Sequence, residues 1–511
     1  MARRGLKEDT GLLRQLPLAL LIWGLFSVMM WVPAVYALTL NDHPTSRSFF
    51  YSGILGLVTV TTIALARAGR PSRHGVLGQL AALLSTFALL PLFLAVPFHD
   101  ALKTTSFLNA YFEMVSAITT TGAEMFPDPG RLNASLHLWR AQVGWLGGLV
   151  MWIAASAILA PLSLGGFEVT AQGQPGRVLV GQGESVDPRG RLLRVAATLA
   201  PVYAGLTLVV AILLLAAGDP GLVAICHAMS VMATSGISPV GGLSGSASGL
   251  TGEAILFLFM FFALSRLTFS SDTAMRGHAR LDQDPEFRIG LLILIGVPAL
   301  LFLRHWSGAF EIASSENLTL ALRALWGSLF TVMSFLSTTG FESTDWAEAR
   351  QWSGLGTPGM ILLGLSVIGG GVATTAGGVK LLRVYALYLN GMREMQRLVH
   401  PSSVSSATGR NRRIQRDGAF IAWVFFMLFA ISLAVIAMAL AAAGSDFETA
   451  MVLSIATLST TGPLIEIGAE APIRLIEMPA AAKLILSGAM IIGRLETLAF
   501  IALITPALWR N

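Results

Sequence analysis

The chain has 511 residues, 54% of them hydrophobic and only 12% charged, with a formal net charge of +5. Soluble domains carry about 25% charged residues, so most of this chain is excluded from water and the composition is that of a polytopic membrane protein. A single cysteine, Cys226, excludes a disulfide framework and a thiolate metal cluster.

Apolar runs long enough to cross a hydrocarbon core of about 30 Å predict crossings near 16–40, 48–66, 75–98, 136–161, 192–217, 250–272, 287–303, 354–396 (interrupted), 418–443 and 480–508. The first follows "MARRGLKEDTGLLRQ", but its apolar run is too long for a signal peptide, so it is read as a retained helix. The even number puts both termini on the cytoplasmic side. That threading leaves 24 of the 34 Lys and Arg inside and 9 outside, with Arg494 within the membrane, as the positive-inside rule requires. The basic balance therefore reflects orientation, with no nucleic-acid partner, and the acidic exterior concentrates cations.

Between crossings lie four apolar segments too short to span twice: "ALKTTSFLNAYFEMVSAI", "PGLVAICHAMSVM", "LALRALWGSLFTVMSFL" and "DFETAMVLSIATL". Each has the length of a re-entrant half-helix, and each runs into a related tetrapeptide. These read Thr119-Thr120-Thr121-Gly122, Ala233-Thr234-Ser235-Gly236, Ser337-Thr338-Thr339-Gly340 and Ser459-Thr460-Thr461-Gly462, at spacings of 114, 104 and 122 residues. This is an internal repeat. It divides the chain into an N-terminal helix pair (1–70) and four units at 71–175, 176–285, 286–400 and 401–511. The expected fold is all-α: four helix–pore-helix–helix repeats around a central pore, plus the two extra N-terminal transmembrane helices.

Non-helical backbone at membrane depth is tolerated only where it is buried in protein or lines a cavity. Four loops around one axis, each with a glycine free to take φ > 0, would present a ring of carbonyl oxygens able to replace the water of a cation, the design of a selectivity filter. A single such tetrapeptide reads more readily as a helix C-cap whose hydroxyls satisfy local backbone groups. Four in register favour the filter.

The four loops, together with "LWRAQVGWLGGLVMWIAASAILAPLSLGGFEVTAQGQPG" (138–176), "VIGGGVATTAGGVKLLR" (367–383) and "MIIGRLETLAFIALITPALW" (490–509), resemble the TrkH members of the Trk/Ktr/HKT superfamily of potassium transporters. The resemblance implies K⁺ as the transported ion, bound at the sixteen residues of the four tetrapeptides, and no cofactor in this chain. It also implies a homodimer in the lipid bilayer of the bacterial inner membrane and a cytosolic ring of nucleotide-binding regulatory subunits of TrkA type. Departures are "TSGIS" in the second repeat and "TTGP" in the fourth, which leave Na⁺ as a second permeant ion to consider. The intact set Gly122, Gly236, Gly340 and Gly462 favours K⁺.

By the same resemblance, "GGGVATTAGGVK" is an intramembrane loop that plugs the pore below the filter, formed by Gly369, Gly370, Gly371, Thr374, Thr375, Gly377, Gly378 and Lys380. Independently, five glycines at about 1 kcal/mol each relative to alanine argue against a straight helix over 369–378. A phosphate-binding loop is disfavoured because Val379 separates glycine from lysine and Leu381 follows it. A charge within the membrane is costly unless it faces a cavity or a partner, and Arg494 is expected to be a positive barrier beside this gate, carried over from the family's "GRLE" motif. Glu496, two residues away on the presumed helix, is a poor partner for it. Arg266 reads as a snorkelling helix end ahead of the alternative, a second pore-side charge, and the run "GRNRRIQR" as a positive-inside determinant ahead of a contact with a regulatory partner. Glu113 is either a source of negative field behind the filter or a hydrogen-bonded structural carboxylate. His99, Asp100 and His227 lack metal-ligand spacing and read as ordinary helix-end or packed residues.

No nucleophile–base or metal constellation indicates an enzyme. The expected activity is channel-like K⁺ uptake. The alternative is a carrier coupled to Na⁺ or H⁺ by alternating access, which would need an ionisable relay that the crossings do not supply beyond Arg494 and Glu496.

Overall fold

The computed structural model describes residues 16–67, 76–160, 166, 188–265, 284–308, 318–354, 357–399 and 409–496, and the described residues form helices and no strand. The helices are α1 (Leu18–Met29), α2 (Trp31–Thr39), α3 (His43–Ala66), α4 (Val76–Ala88), α5 (Leu90–Leu102), α6 (Phe107–Ile118), α7 (Ala134–Ala154), α8 (Pro188–Ala216), α9 (Gly221–Ala233), α10 (Gly249–Met260), α11 (Pro285–Gly308), α12 (Leu318–Leu336), α13 (Trp346–Ser353), α14 (Gly359–Ile368), α15 (Leu381–Val399), α16 (Gly409–Ala442), α17 (Phe447–Leu458), α18 (Leu464–Ile467) and α19 (Ala480–Leu495).

Local chemistry sets where these helices begin and break. Side chains of Asp42, Ser106, Asn133 and Asp446 accept the N–H three residues on and start α3, α6, α7 and α17, each satisfying one of the orphan donors of a helix N-terminus. The first and third apolar runs are each split in two, at Met30 and Leu89, shortly before Pro33 and Pro91, whose rings remove a helical donor. The span His43–Ala66 is only 22% buried and Ala134–Leu159 is 78% buried. The former therefore faces lipid, where exposed Leu55, Val58 and Leu65 cost nothing, and the latter lies at the centre.

The four short segments pack between their flanking helices: α6 against α5 and α7, α9 against α8 and α10, α12 against α11 and α14, and α17 against α16 and α19. The third is longer than the sequence suggests. At 19 residues α12 could span a bilayer by length alone, yet it ends in the same loop geometry as the other three. Each outgoing helix also packs on the next short helix, α7 on α9, α10 on α12 and α14 on α17, and α19 returns to α6. The four units thus close a ring in chain order.

The last crossing differs from its expectation. Rather than running unbroken through 480–508, α19 ends at Leu495, and Glu496 turns the chain at φ 63°. The remainder of that segment, Arg266, the sixth crossing beyond residue 265 and the side chains of 409–416 lie outside the described residues.

Candidate ion pathway

Each tetrapeptide begins as a helix C-cap. The threonine two before the glycine is left-handed in every one, with φ of 54° at Thr120, 51° at Thr234, 57° at Thr338 and 53° at Thr460. The following residue reaches back five positions, Thr121 N–H to Ser116 O at 2.9 Å, Ser235 to Ser230 at 3.0 Å, Thr339 to Ser334 at 2.8 Å and Thr461 to Ala456 at 2.8 Å. This is the Schellman pattern, which elsewhere usually places glycine at the left-handed position. A β-branched residue there costs about 1–2 kcal/mol, and four such costs at one place mark strain held by the surrounding structure. The capping and filter readings are therefore compatible: the cap turns the chain out of the helix and the glycine turns it again. Gly122, Gly236 and Gly340 have φ of 70°, 67° and 88°. Gly462 departs from the expectation, since its φ is not positive, and its need for glycine has another origin.

That origin is contact between loops. A Cβ on Gly122 would meet the Ser235 carbonyl, one on Gly236 the Thr339 carbonyl and the Pro463 ring, one on Gly340 the Pro463 ring, and one on Gly462 the backbone of Gly122 and Ala123, all closer than 3.0 Å. The Gly462 N–H also donates to Thr121 O at 2.6 Å. Each loop leans on the next, and the fourth on the first. The flanking hydroxyls serve the loops themselves. Thr119 Oγ1 bonds Val115 O at 2.7 Å and Thr121 Oγ1 at 2.8 Å, Ser337 Oγ bonds Ser334 O at 3.0 Å and Thr339 Oγ1 at 2.9 Å, and Ser459 Oγ bonds Ile455 O at 2.7 Å and Thr461 Oγ1 at 3.3 Å. Ala233 has no such hydroxyl, and there Ser235 pairs with Ser230 at 3.2 Å.

Behind the ring, the outgoing limbs are braced from the half-helices at a constant offset, nine residues before each glycine. Glu113 Oε2 accepts Met125 N–H at 2.9 Å, His227 Nε2 bonds Ser238 Oγ at 2.9 Å, and Thr331 Oγ1 accepts Ser343 N–H at 3.3 Å; the fourth position is Leu453. Glu113 is thus a hydrogen-bonded structural carboxylate, ion-paired with Arg140 at 2.5 Å, and Arg140 reaches Glu124 at 3.0 Å. Glu253 of α10 braces the third limb, accepting from Trp326 Nε1 (2.8 Å), Ser343 Oγ (2.8 Å), Thr344 N–H (2.6 Å) and Thr344 Oγ1 (2.7 Å). Three carboxylates, Glu124, Glu342 and Glu466, follow the glycines of loops one, three and four by two, two and four residues. Burial, opposed by Arg350 and reinforced by Glu466, pushes the Glu342 carboxyl up to about 7. Burial also raises Glu466.

On the opposite side of the ring sits the glycine-rich loop. Helix α14 stops at Ile368 and α15 starts at Leu381, so the expected break is present. Its neck is stapled by Val379 N–H to Val367 O, Lys380 N–H to Ile368 O and Leu381 N–H to Gly370 O, at 2.9, 2.9 and 3.0 Å, which makes it a closed Ω-like loop. Gly369 and Gly378, at φ 73° and 76°, pass each other there with no room for a Cβ. Gly371 N–H binds Ala263 O at 2.8 Å and Val372 N–H binds Glu286 at 2.9 Å. Thr374 Oγ1 bonds Gly371 O within the loop at 2.8 Å. The tip touches the ring: Thr375 Oγ1 bonds Met232 O at 3.1 Å, and Gly377 N–H donates to Thr338 Oγ1 at 2.7 Å. Buried Arg494 donates to Thr375 O at 2.6 Å, while its Nε and second Nη find no hydrogen-bond partner among the described residues. Lys380 Nζ bonds Ala376 O. Glu496 does not pair with Arg494, as expected; it binds Arg383 at 2.7 Å, whose guanidinium also lies over the Phe425 ring.

A family model for TrkH, a cation transport protein, matches residues 86–242 and 252–509. The chain belongs to the TrkH family. It is 30% identical over 503 residues to the Trk system potassium uptake protein TrkH of Salmonella typhimurium, covering 95% of this chain and 97% of that one. It is 31% identical over 406 residues to the Halomonas elongata protein of the same name, covering 79% and 80%. The crystal structure of the potassium transporter TrkH from Vibrio parahaemolyticus superposes with a TM-score of 0.79 at 26% identity, over 97% of this chain and 99% of that one. TrkH proteins are transporters rather than catalysts, and the all-helical polytopic fold of this chain is theirs.

In this TrkH chain the roles of Arg140, His227, Thr331 and Glu253 as braces, and of Glu286 and Arg383 as loop anchors, escape a reading of motifs alone. For Glu113, His227 and Thr331 the signal was available in the constant offset of nine before each glycine. Glu253, Glu286 and Arg383 are joined to partners 73 to 113 residues away, and no spacing in one sequence announces them.

Proposed function

We propose that this chain mediates K⁺ uptake through the ring of four threonine-glycine loops, with the loop 369–378 and Arg494 as its gate. The closed contact order of the four glycines carries this reading. Loops that touch in sequence around one axis, each turned by a strained threonine cap, can bring carbonyl oxygens together where a partly dehydrated cation would pass. The relatives' names, Trk system potassium uptake protein, support K⁺ as the ion. Glu124, Glu342 and Glu466 on one side of the ring would raise the local cation concentration, and the loop tip and the Arg494 guanidinium on the other would oppose its exit. The membrane is proposed to be the bacterial inner membrane with both termini cytoplasmic, and the assembly a homodimer on a cytosolic TrkA-type ring. The chain itself is proposed to need no cofactor.

The test is K⁺ uptake into proteoliposomes, comparing the full chain with a variant whose loop is shortened between Gly371 and Gly378. Expected are K⁺ uptake above that of protein-free vesicles and a higher basal rate in the shortened variant. Absence of uptake from correctly inserted protein in both forms contradicts the transport reading; equal rates in the two contradict the gate.

A further inference from the structure

We propose that Thr338 is the latch of the gate, its hydroxyl holding the glycine-rich loop closed by accepting the Gly377 N–H. The inference rests on the gating role proposed above and goes on to name the contact that enforces it.

The four left-handed threonines are equivalent in backbone and unequal in their hydroxyls. Thr234 Oγ1 folds back on Ala233 O at 2.7 Å, and the buried hydroxyls of Thr120 and Thr460 find no hydrogen-bond partner among the described residues. Thr338 Oγ1 alone of the four receives a hydrogen bond from the loop, at 2.7 Å and buried. The loop's other holds differ in kind. Gly371 and Val372 are tied to Ala263 and Glu286 at its base, and Thr375 is held through backbone carbonyls and by Arg494. The bond to Thr338 is the point at which the tip is fastened to a ring side chain.

The position suits a latch. At Gly377 there is no room for a Cβ, because the Ser459 carbonyl and Thr460 Oγ1 lie against it, so the tip is pressed under loops three and four together. A backbone N–H pointing at the inner end of the ring presents positive charge where a cation would leave. Beside the tip is a cavity of about 20 Å³ lined by Thr374, Ala376, Gly377, Gly378, Lys380 and Arg494, enough for a water that could satisfy Gly377 once it lets go. Thr338 also belongs to a tetrapeptide of the ring, so a shift of that loop and release of the gate are mechanically linked.

The experiment measures basal K⁺ flux and the K⁺/Na⁺ ratio in proteoliposomes without any regulatory partner, for the full chain, Thr338→Val, Thr338→Ser and the loop-shortened variant. Valine keeps the shape and removes the acceptor. A net hydrogen bond is worth about 1 kcal/mol, so Thr338→Val is expected to raise basal flux about five-fold at 1.4 kcal/mol per decade. Serine, which retains the acceptor, is expected to raise it less. Combining Thr338→Val with the shortened loop should give no further increase. If valine does not accumulate in the membrane, Thr338→Ala takes its place. An unchanged flux in Thr338→Val, where shortening the loop raises it, overturns the latch and leaves the gate standing. If shortening the loop changes nothing, the gate itself fails and the latch with it. An equal increase from valine in the shortened background would mean that Thr338 acts on the ring alone, which also overturns the proposal.

Discussion

Replacing Gly122 with alanine places one methyl group where the first loop leans on the second. The backbone at Gly122 has φ 70°, where a Cβ costs about 1–2 kcal/mol. The same methyl would overlap the Ser235 carbonyl, a backbone atom that can yield only if the second loop moves. A tenfold loss of preference between two ions is only about 1.4 kcal/mol, so a displacement too small to unfold the ring is enough to erase tenfold selectivity. We expect Gly122→Ala to lower the K⁺/Na⁺ ratio at least about tenfold, measured from reversal potentials in proteoliposomes. Gly462→Ala, where φ is not strained but the Cβ meets Gly122 and Ala123, separates the two causes: comparable loss there assigns the effect to loop contact, and a milder loss to backbone strain. Gly205→Ala in α8, with nothing within 4 Å of its Cβ, controls for the substitution itself. A folded Gly122→Ala protein with an unchanged ratio would refute the reasoning.

Three further outcomes are expected. Glu253→Gln leaves an amide facing four donors; hydrogen bonds to a charged group are worth about 1.5–3 kcal/mol, so thermal stability should fall and the K⁺/Na⁺ ratio should drop, and unaltered values for both would remove Glu253 from the support of the third loop. Arg494→Ala strips the Thr375 carbonyl of its donor and removes a buried positive charge, so basal flux should rise; a fall in well-folded protein would assign Arg494 a purely structural role. Because the Glu342 carboxyl is raised to about 7, it is protonated below that pH and ionised above it, so flux at sub-saturating K⁺ should rise between about pH 6 and pH 8 and Glu342→Gln should flatten the rise; a profile identical to that of the parent chain would exclude this carboxylate.

The four tetrapeptides and the interrupted eighth crossing were legible because glycine, threonine and apolar periodicity carry strong local meaning. The conformation at their threonines was not, since propensity assigns the left-handed position to glycine and only packing within the ring overrides it. Gly462 makes the complementary point: it aligns with the other three in sequence, yet its requirement is the proximity of Gly122, which no local rule contains. The end of α19 at Leu495 was hidden by an apolar stretch that continues past Arg494, and the length of α12, 19 residues against the short segment the sequence marks, was hidden too, although its half-helix ending was read correctly from the tetrapeptide. Glu253 and Arg140 were invisible for a different reason, because a buried carboxylate or guanidinium is recognised by partners that fold topology supplies.

A reversal-potential measurement on the purified chain in planar bilayers or proteoliposomes, with K⁺, Na⁺ and H⁺ gradients imposed one at a time, is the decisive experiment for conduction through the ring of four loops. The zero-current potential should follow the K⁺ gradient and stay fixed when the Na⁺ or H⁺ gradient alone is changed. A potential that tracks the Na⁺ or H⁺ gradient, with K⁺ moving only in company with the other ion, would contradict a gated pore and point to coupled transport.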